Sequence, residues 1–245
     1  MEDRKKIKED LLNLYTKEQL DNENNKLGMQ YQNLSDQIYE LIKKKIICHK
    51  IKPGERIIDQ DIAEEFGVSR SLVRQAFNIL EKEELLTLVP RNGFYVRKIK
   101  RKDVKEIYEI RNILETSATR MAVKRIPDTE IKKVERVFNA AKKDLCKNKV
   151  KNCIKADAFL HEMINSNCGN NRLTKMINKY NGHYVFYRIV DLSGIDRAKE
   201  AYDMHLKIFK AVKNRDVDLS ANLMNEHIEK AKKIILDNFE EYTNK

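Results

Sequence analysis

Three of the five histidines in this 245-residue chain fall on the apolar faces of separate segments with helical periodicity. Asp157 and His161 are spaced i, i+4 and share a face with Ile154, Ala158 and Ile164. His205 shares its face with Ile208, Phe209 and Val212, and His227 shares its face with Leu223, Met224 and Ala231. One carboxylate and three imidazoles therefore point inward from three helices. Neutral imidazole nitrogens with one carboxylate oxygen, and coordination positions left over, suit a divalent transition metal. The same residues also suit three separate core histidines, each satisfied by its own hydrogen bonds, because a lone inward histidine is no ligand signal. His49 and His183 join no cluster of ligand types and read as ordinary residues. Arg111 shares an apolar stripe with Ile107, Leu114 and Ala118. A buried guanidinium needs an anionic partner. Glu115, four residues on, can supply it within the fold, and so can the carboxylate of a small effector. Tyr184 and Tyr187 fit the lining of such a cavity or plain core equally well.

A second set of residues has the chemistry to read DNA. The run Ile62-Ala63-Glu64-Glu65-Phe66-Gly67-Val68-Ser69-Arg70-Ser71-Leu72-Val73-Arg74 fits a helix-turn-helix. Gly67 permits the sharp turn and Val68 can plug the angle between the helices. The start of the second helix must be polar to meet base edges and phosphates, and here it offers Ser69, Arg70, Ser71 and Arg74. An arginine can take two acceptors on one guanine, while hydroxyls and the helix N-terminus suit phosphate oxygens. Arg91, Asn92 and Gly93 sit between two apolar, β-prone runs, a hairpin signal, and form the tip of a wing that can follow the DNA backbone or minor groove. Helix periodicity alone leaves room for a polar-ended helix pair in another fold; the turn, Arg74 and the wing together narrow it to the DNA-binding unit.

The elements that must position these residues follow in order. Residues 1–30 are polar, with a short amphipathic helix (Ile7, Leu11, Leu14) and then a flexible stretch. Ser35 caps a helix with Ile38, Tyr39, Ile42 and Ile46 on its inner face. Lys52-Pro53-Gly54-Glu55 is a turn, and Asp59 caps a short helix carrying Ile62, Ala63 and Phe66. Ser69 opens the next, whose inner face is Leu72, Val73, Ala76, Ile79 and Leu80. Leu85–Val89 and Phe94–Val96 form the two strands of the hairpin. After Arg101 no strand signal returns, and periodicity predicts about six helices near 103–125, 128–146, 150–166, 171–190, 196–213 and 216–240. The expected organisation is an N-terminal extension (1–30), a winged helix-turn-helix of three helices and a β-hairpin (31–98), and an all-helical bundle (99–245). The fold class is mainly α.

Composition agrees with this class. Charged residues make up 36% and hydrophobic residues 41%, as for helices with one buried stripe, and 7 Gly and 3 Pro are too few for a turn-rich sandwich or barrel. The net charge of +11 attracts nucleic acid, but it is shared between both halves of the chain, so the motifs decide. No apolar run approaches the ~20 residues that span a bilayer, and MEDRKKIKED has no apolar core. The expectation is a cytoplasmic protein without a membrane partner. Cys48, Cys146, Cys153 and Cys168 show no CxxC spacing and read as reduced structural residues.

Residues 34–97 resemble the DNA-binding domain of the GntR family of bacterial regulators. The resemblance is carried by Pro53-Gly54-Glu55-Arg56-Ile57-Ile58, Ile62-Ala63, Gly67-Val68-Ser69-Arg70, Val73-Arg74, Leu80-Glu81 and Arg91-Asn92-Gly93. Gln75 and Phe77 stand where the family usually has Glu and Leu. Glu84 replaces a common Gly, and Gln60 sits where some members carry a DNA-contacting Arg. Residues 103–240 look like the FCD-type effector domain of the FadR subfamily, through Glu109-Ile110-Arg111 with Leu114-Glu115, Asp157-Ala158-Phe159-Leu160-His161, His205 with Ile208, and Met224 with His227. The resemblance implies a homodimer on a near-palindromic DNA operator and a divalent ion held by Asp157, His161, His205 and His227. Zinc is the default ion, with nickel or manganese as alternatives. It implies a transcriptional regulator, not an enzyme, controlled by a small effector; an ion with open coordination positions would attract a carboxylate, and Arg111, if not satisfied by Glu115, would bind it. Two other classes compete: a metal-dependent hydrolase fused to a DNA-binding module, and a constitutive architectural DNA-binding protein.

Overall fold

A computed structural model of the chain describes residues 34–47, 50–180 and 195–239. The expected helix at Ile7–Leu14, the flexible stretch after it, Cys48, His49, His183, Tyr184 and Tyr187 lie outside the described residues. The chain divides into two compact units between Ile99 and Lys100.

The first unit contains α1 (Leu34–Ile47), β1 (Arg56–Ile57), α2 (Asp59–Phe66), α3 (Arg70–Lys82), β2 (Leu86–Val89) and β3 (Gly93–Val96). Ile38, Ile42 and Ile46 repeat every four residues and bury one stripe of α1. The helix begins at Leu34, so Ser35 lies buried in its first turn and does not precede it as a cap. Tyr39 is half-buried: its hydroxyl bonds Glu83 and accepts from Lys43, tying α1 to the end of α3. Burial, then the Glu83 charge, push the Tyr39 phenol well above its ordinary pKa. Gly67 takes the left-handed conformation at φ 65° that closes α2 and turns the chain into α3, where the Ser69 hydroxyl caps the Leu72 amide. The buried stripe of α3 is Val73, Ala76, Phe77 and Leu80. Ile79, expected inside, is exposed, because it sits roughly 110° around the helix from the centre of that stripe. Phe77 takes the inner place and meets Phe94 edge-on, ring centroids 5.1 Å apart.

The wing is a three-stranded antiparallel sheet of order β1-β3-β2, one strand more than the expected hairpin. β1 is two residues long, too short to define a period in the sequence. Its neighbours secure it: Gly54 N–H donates to Val96 O, and Val96 N–H to Glu55 O. Glu84, at the position where a glycine is common, adopts φ 59° with an ion pair to Arg97.

Among the described residues the second unit is all helical: α4 (Arg101–Ala122), α5 (Asp128–Leu145), α6 (Lys151–Ser166), α7 (171–180), α8 (Ile195–Lys213) and α9 (Val217–Asp237). α9 packs along α4 and α8, and α6 packs on α5, α8 and α4. Phe138 of α5 stacks on Phe209 of α8 at 4.9 Å, and the Tyr202 hydroxyl donates to Phe138 O. Arg215, in the α8–α9 turn, donates to the carbonyls of Val123 and Ile126 and pairs with Asp128, which fixes the start of α9 against the α4–α5 turn. The inner stripe of α4 runs Val104, Tyr108, Arg111, Glu115, Ala118 and Ala122; Tyr108 lies on it, and the expected Ile107 is only half-buried. Two charged residues on a buried stripe require compensation from the helices opposite. No helix among the described residues is long and apolar enough to cross a membrane. Of the described cysteines all are free: Cys146 is exposed, Cys153 and Cys168 buried, and burial pushes the Cys153 thiol up to about 12.

Candidate metal centre and nucleic-acid interface

Around the charged residues of α4, of which Glu115 is bonded by His161, gather α6, α8 and α9. α6 supplies Asp157 and His161, one turn apart; α8 supplies His205 and α9 supplies His227. One ligand atom from each lies within 4.8 Å of all the others. Asp157 Oδ1 is 2.8 Å from His205 Nε2 and 3.4 Å from His161 Nε2, and His205 Nε2 is 3.2 Å from His227 Nε2. Asp157, His161 and His205 are buried and His227 is partly exposed. Ligands at the usual ~2.0–2.2 Å from a first-row divalent ion lie about 3.0–3.6 Å apart when adjacent, so the donor set has the chemistry and the spacing such an ion needs. The sequence-predicted ligands are thus brought together, and the reading of three separately satisfied core histidines does not describe them.

Glu115 is the residue that sequence reasoning placed only as a partner of Arg111. Its Oε1 accepts from Arg111 Nε at 2.6 Å, and its Oε2 bonds His161 Nδ1. A carboxylate on the far nitrogen of a candidate ligand fixes the tautomer and orientation of that ring. Arg111, 1% exposed, therefore takes the partner available within the fold, with its guanidinium 5.4 Å from the centre of the Tyr108 ring. The pair does not close the site. Tyr108, Arg111, Asp157, His205 and His227 line a cavity of which about 30 Å³ admits the centre of a water molecule, and Arg197, Glu200 and Lys230 stand around it. Arg197 and Lys230 both contact Glu200, at 2.6 and 3.7 Å. Desolvation, then the neighbouring His205, His161 and Arg111, hold the His227 pKa well below the ordinary imidazole value against the opposing pull of Asp157. A neutral His227 is the form that can bind a cation.

The predicted DNA-reading residues form one exposed face at the start of α3. Arg70, Ser71 and Arg74 border an open groove together with Gln75 and Asn78, which the sequence reading did not single out as contacts. Their i, i+4 relation to Ser71 and Arg74 was the available signal. Both arginines are held by Asp59: Arg70 Nη2 donates to Oδ1 at 3.0 Å and Arg74 Nε to Oδ2 at 2.5 Å. Asp59 was expected to cap α2; the residue in that place is Ile58, and no side-chain cap bond is made. Gln60 donates to Glu64 on its own helix. Arg91 and Asn92 are exposed at the tip of the wing, where Arg91 (φ 64°) and Gly93 (φ 94°) make the turn.

Residues 34–96 match the model of the bacterial regulatory proteins, gntR family, and residues 106–230 match the FCD domain. The chain is 33% identical over 181 residues to YdhC, an HTH-type transcriptional regulator of Bacillus subtilis, covering 74% of this chain and 81% of that one. It is 28% identical over 198 residues to the gluconate operon transcriptional repressor of the same organism, covering 78% and 80%. Among solved structures, Escherichia coli McbR/YncC superposes with a TM-score of 0.72 at 20% identity, covering 84% of this chain and 99% of that one, a likeness of fold.

Proposed function

The chain belongs to the GntR family of bacterial regulatory proteins as a DNA-binding transcriptional regulator of the GntR/FCD type, and on that premise we propose that its operator affinity is set by a divalent ion and a small carboxylate effector in the helical unit. One observation carries the reading: the convergence of Asp157, His161, His205 and His227 beside a cavity that Arg111 also lines. An ion held by these four residues supplies positive charge and open coordination positions to that cavity. Arg111 presents a second cation, half-neutralised by Glu115, and so suits an anion small enough to share the space. A relative whose name is gluconate operon transcriptional repressor favours both a carboxylate and a repressor. Zinc suits an imidazole-rich donor set, with nickel or manganese as alternatives.

DNA recognition falls to the capping Ser69, to Arg70, Ser71 and Arg74 on α3, and to Arg91, Asn92 and Gly93 of the wing. A homodimer would place two such helices about 34 Å apart on a near-palindromic site in successive major grooves. Effector binding must favour one arrangement of the dimer over another to act as a switch. Repacking of α6, α8 and α9 around a ligand, relayed through residues 98–103, needs to supply only about 1–3 kcal/mol of coupling.

The test combines metal analysis and native mass spectrometry of the purified protein with operator titrations in zinc, with a panel of small carboxylates beginning with gluconate. The reading expects one divalent ion per chain and an operator affinity changed severalfold or more by at least one carboxylate. A protein that takes up no ion, or an affinity indifferent to ion and carboxylates alike, overturns it. Hydrolysis of test esters by the zinc-loaded protein, lost in His205→Ala, would favour the metallohydrolase alternative instead.

A further inference from the structure

Asp59 is a carboxylate on the face the molecule would turn toward phosphate, where a negative charge opposes binding. It sits at the first residue of α2 yet leaves that helix uncapped. Both of its oxygens are given to the next helix, Oδ1 to Arg70 Nη2 and Oδ2 to Arg74 Nε. The Asp59 side chain is 12% exposed, whereas those of Arg70 and Arg74 are 57% and 63% exposed. The carboxylate is therefore a recessed anchor beneath two guanidiniums that project outward. Arg70 and Arg74 are like charges at i, i+4, close to the positive end of the α3 dipole, an arrangement that repels itself without a counter-charge. Burial works to raise the Asp59 pKa, but the Arg74 hydrogen bond and the charges of both arginines outweigh it and leave it lowered.

The choice of atoms matters more than the charge. A bond through Nε leaves the Nη1 and Nη2 fork of Arg74 for other acceptors, and that fork is the edge that takes two acceptors on one guanine. A guanidinium already gripped gives up less rotational freedom when it docks than one left loose. We propose that Asp59 is a positioning residue for sequence readout: it aims Arg74, and secondarily Arg70, at base edges, and so sets selectivity among duplexes at some cost in bulk affinity. The inference rests on the DNA-binding reading of α3.

The test starts from the duplex that the full-length wild-type protein selects from a random pool. Affinities for that duplex and a scrambled one are measured at fixed salt for wild type, Asp59→Asn, Arg74→Ala and the double variant, with circular dichroism melts as a check on folding. Asp59→Asn is expected to lose about tenfold on the selected duplex while holding or gaining on the scrambled one. The loss should vanish in the Arg74→Ala background. Should Asp59→Asn fold poorly, Asp59→Ser carries the same expectation. Equal gains on both duplexes would make Asp59 a plain counter-charge and overturn the proposal, as would equal losses. A wild-type preference untouched by either variant overturns it alone; a wild-type protein that prefers no duplex overturns the DNA-binding reading with it.

Discussion

His205 Nε2 and His227 Nε2 lie 3.2 Å apart, brought together from consecutive helices whose histidines are 22 residues apart in sequence. Two ring nitrogens at that separation share a hydrogen bond or a cation, and Asp157 Oδ1, 2.8 Å from His205 Nε2, adds a carboxylate beside them.

Zinc should therefore stabilise the protein. At a hundredfold excess of free ion over its dissociation constant the gain is about 2.7 kcal/mol, visible as a rise in Tm that EDTA reverses. His205→Ala and His227→Ala should each abolish the rise. Equal melting temperatures with zinc and with EDTA would argue against a metal centre.

The stripped protein should lose stability as pH falls. The folded-state pKa of His227 is depressed, so its contribution is complete above the unfolded value of about 6.5. Below that value the unfolded chain binds a proton the folded chain refuses, and stability drops by up to about 1.4 kcal/mol per pH unit until the folded pKa is passed. Denaturant titrations of metal-free protein between pH 7.5 and 5 check the slope, and His227→Gln should flatten it.

Arg111 and Glu115 should behave as a unit. Arg111→Leu leaves the buried Glu115 carboxylate with His161 as its remaining partner among these contacts, a loss on the order of 3–5 kcal/mol. Arg111→Leu combined with Glu115→Leu should cost less than the sum of the single changes, as measured in a double-mutant cycle of chemical denaturation. Strict additivity would mean that the two side chains do not share their energetics.

On the DNA side the two sets of residues should separate by signature. Arg74→Ala should cost about 1–3 kcal/mol on the selected operator and less on random duplex. Arg91→Ala, at the wing tip, should weaken binding to all sequences alike and lower the salt slope by about 1. Titrations at three salt concentrations distinguish the two patterns.

These residues differ in how far the sequence exposes them. The helix-turn-helix is legible because Gly67 is needed for a left-handed turn and Ser69 and Arg70 follow within three residues, so that local chemistry decides. The four candidate ligands are legible because each lies on an apolar helical face where an ionisable group needs a reason. Asp59 is misread because an aspartate before a short helix has the same local signature whether it caps or pairs, and its partners lie 11 and 15 residues away. The contact of Glu115 with His161 spans 46 residues and depends on how α4 meets α6, which no period encodes. β1 escapes because two residues cannot alternate, and its existence is decided by β3. Ile79 is misplaced because residue type alone does not say on which side of Leu80 the buried stripe of α3 runs, and the stripe turns toward Val73 and Phe77.

Whether the α3 face and wing of this chain read DNA sequence is decided by a fluorescence-anisotropy titration of the zinc-loaded full-length protein at fixed near-physiological salt. It compares the selected duplex with a scrambled duplex of equal length and composition. Sequence readout by this face requires the selected duplex to bind at least about 10³-fold tighter. Equal affinity for the two duplexes would contradict it.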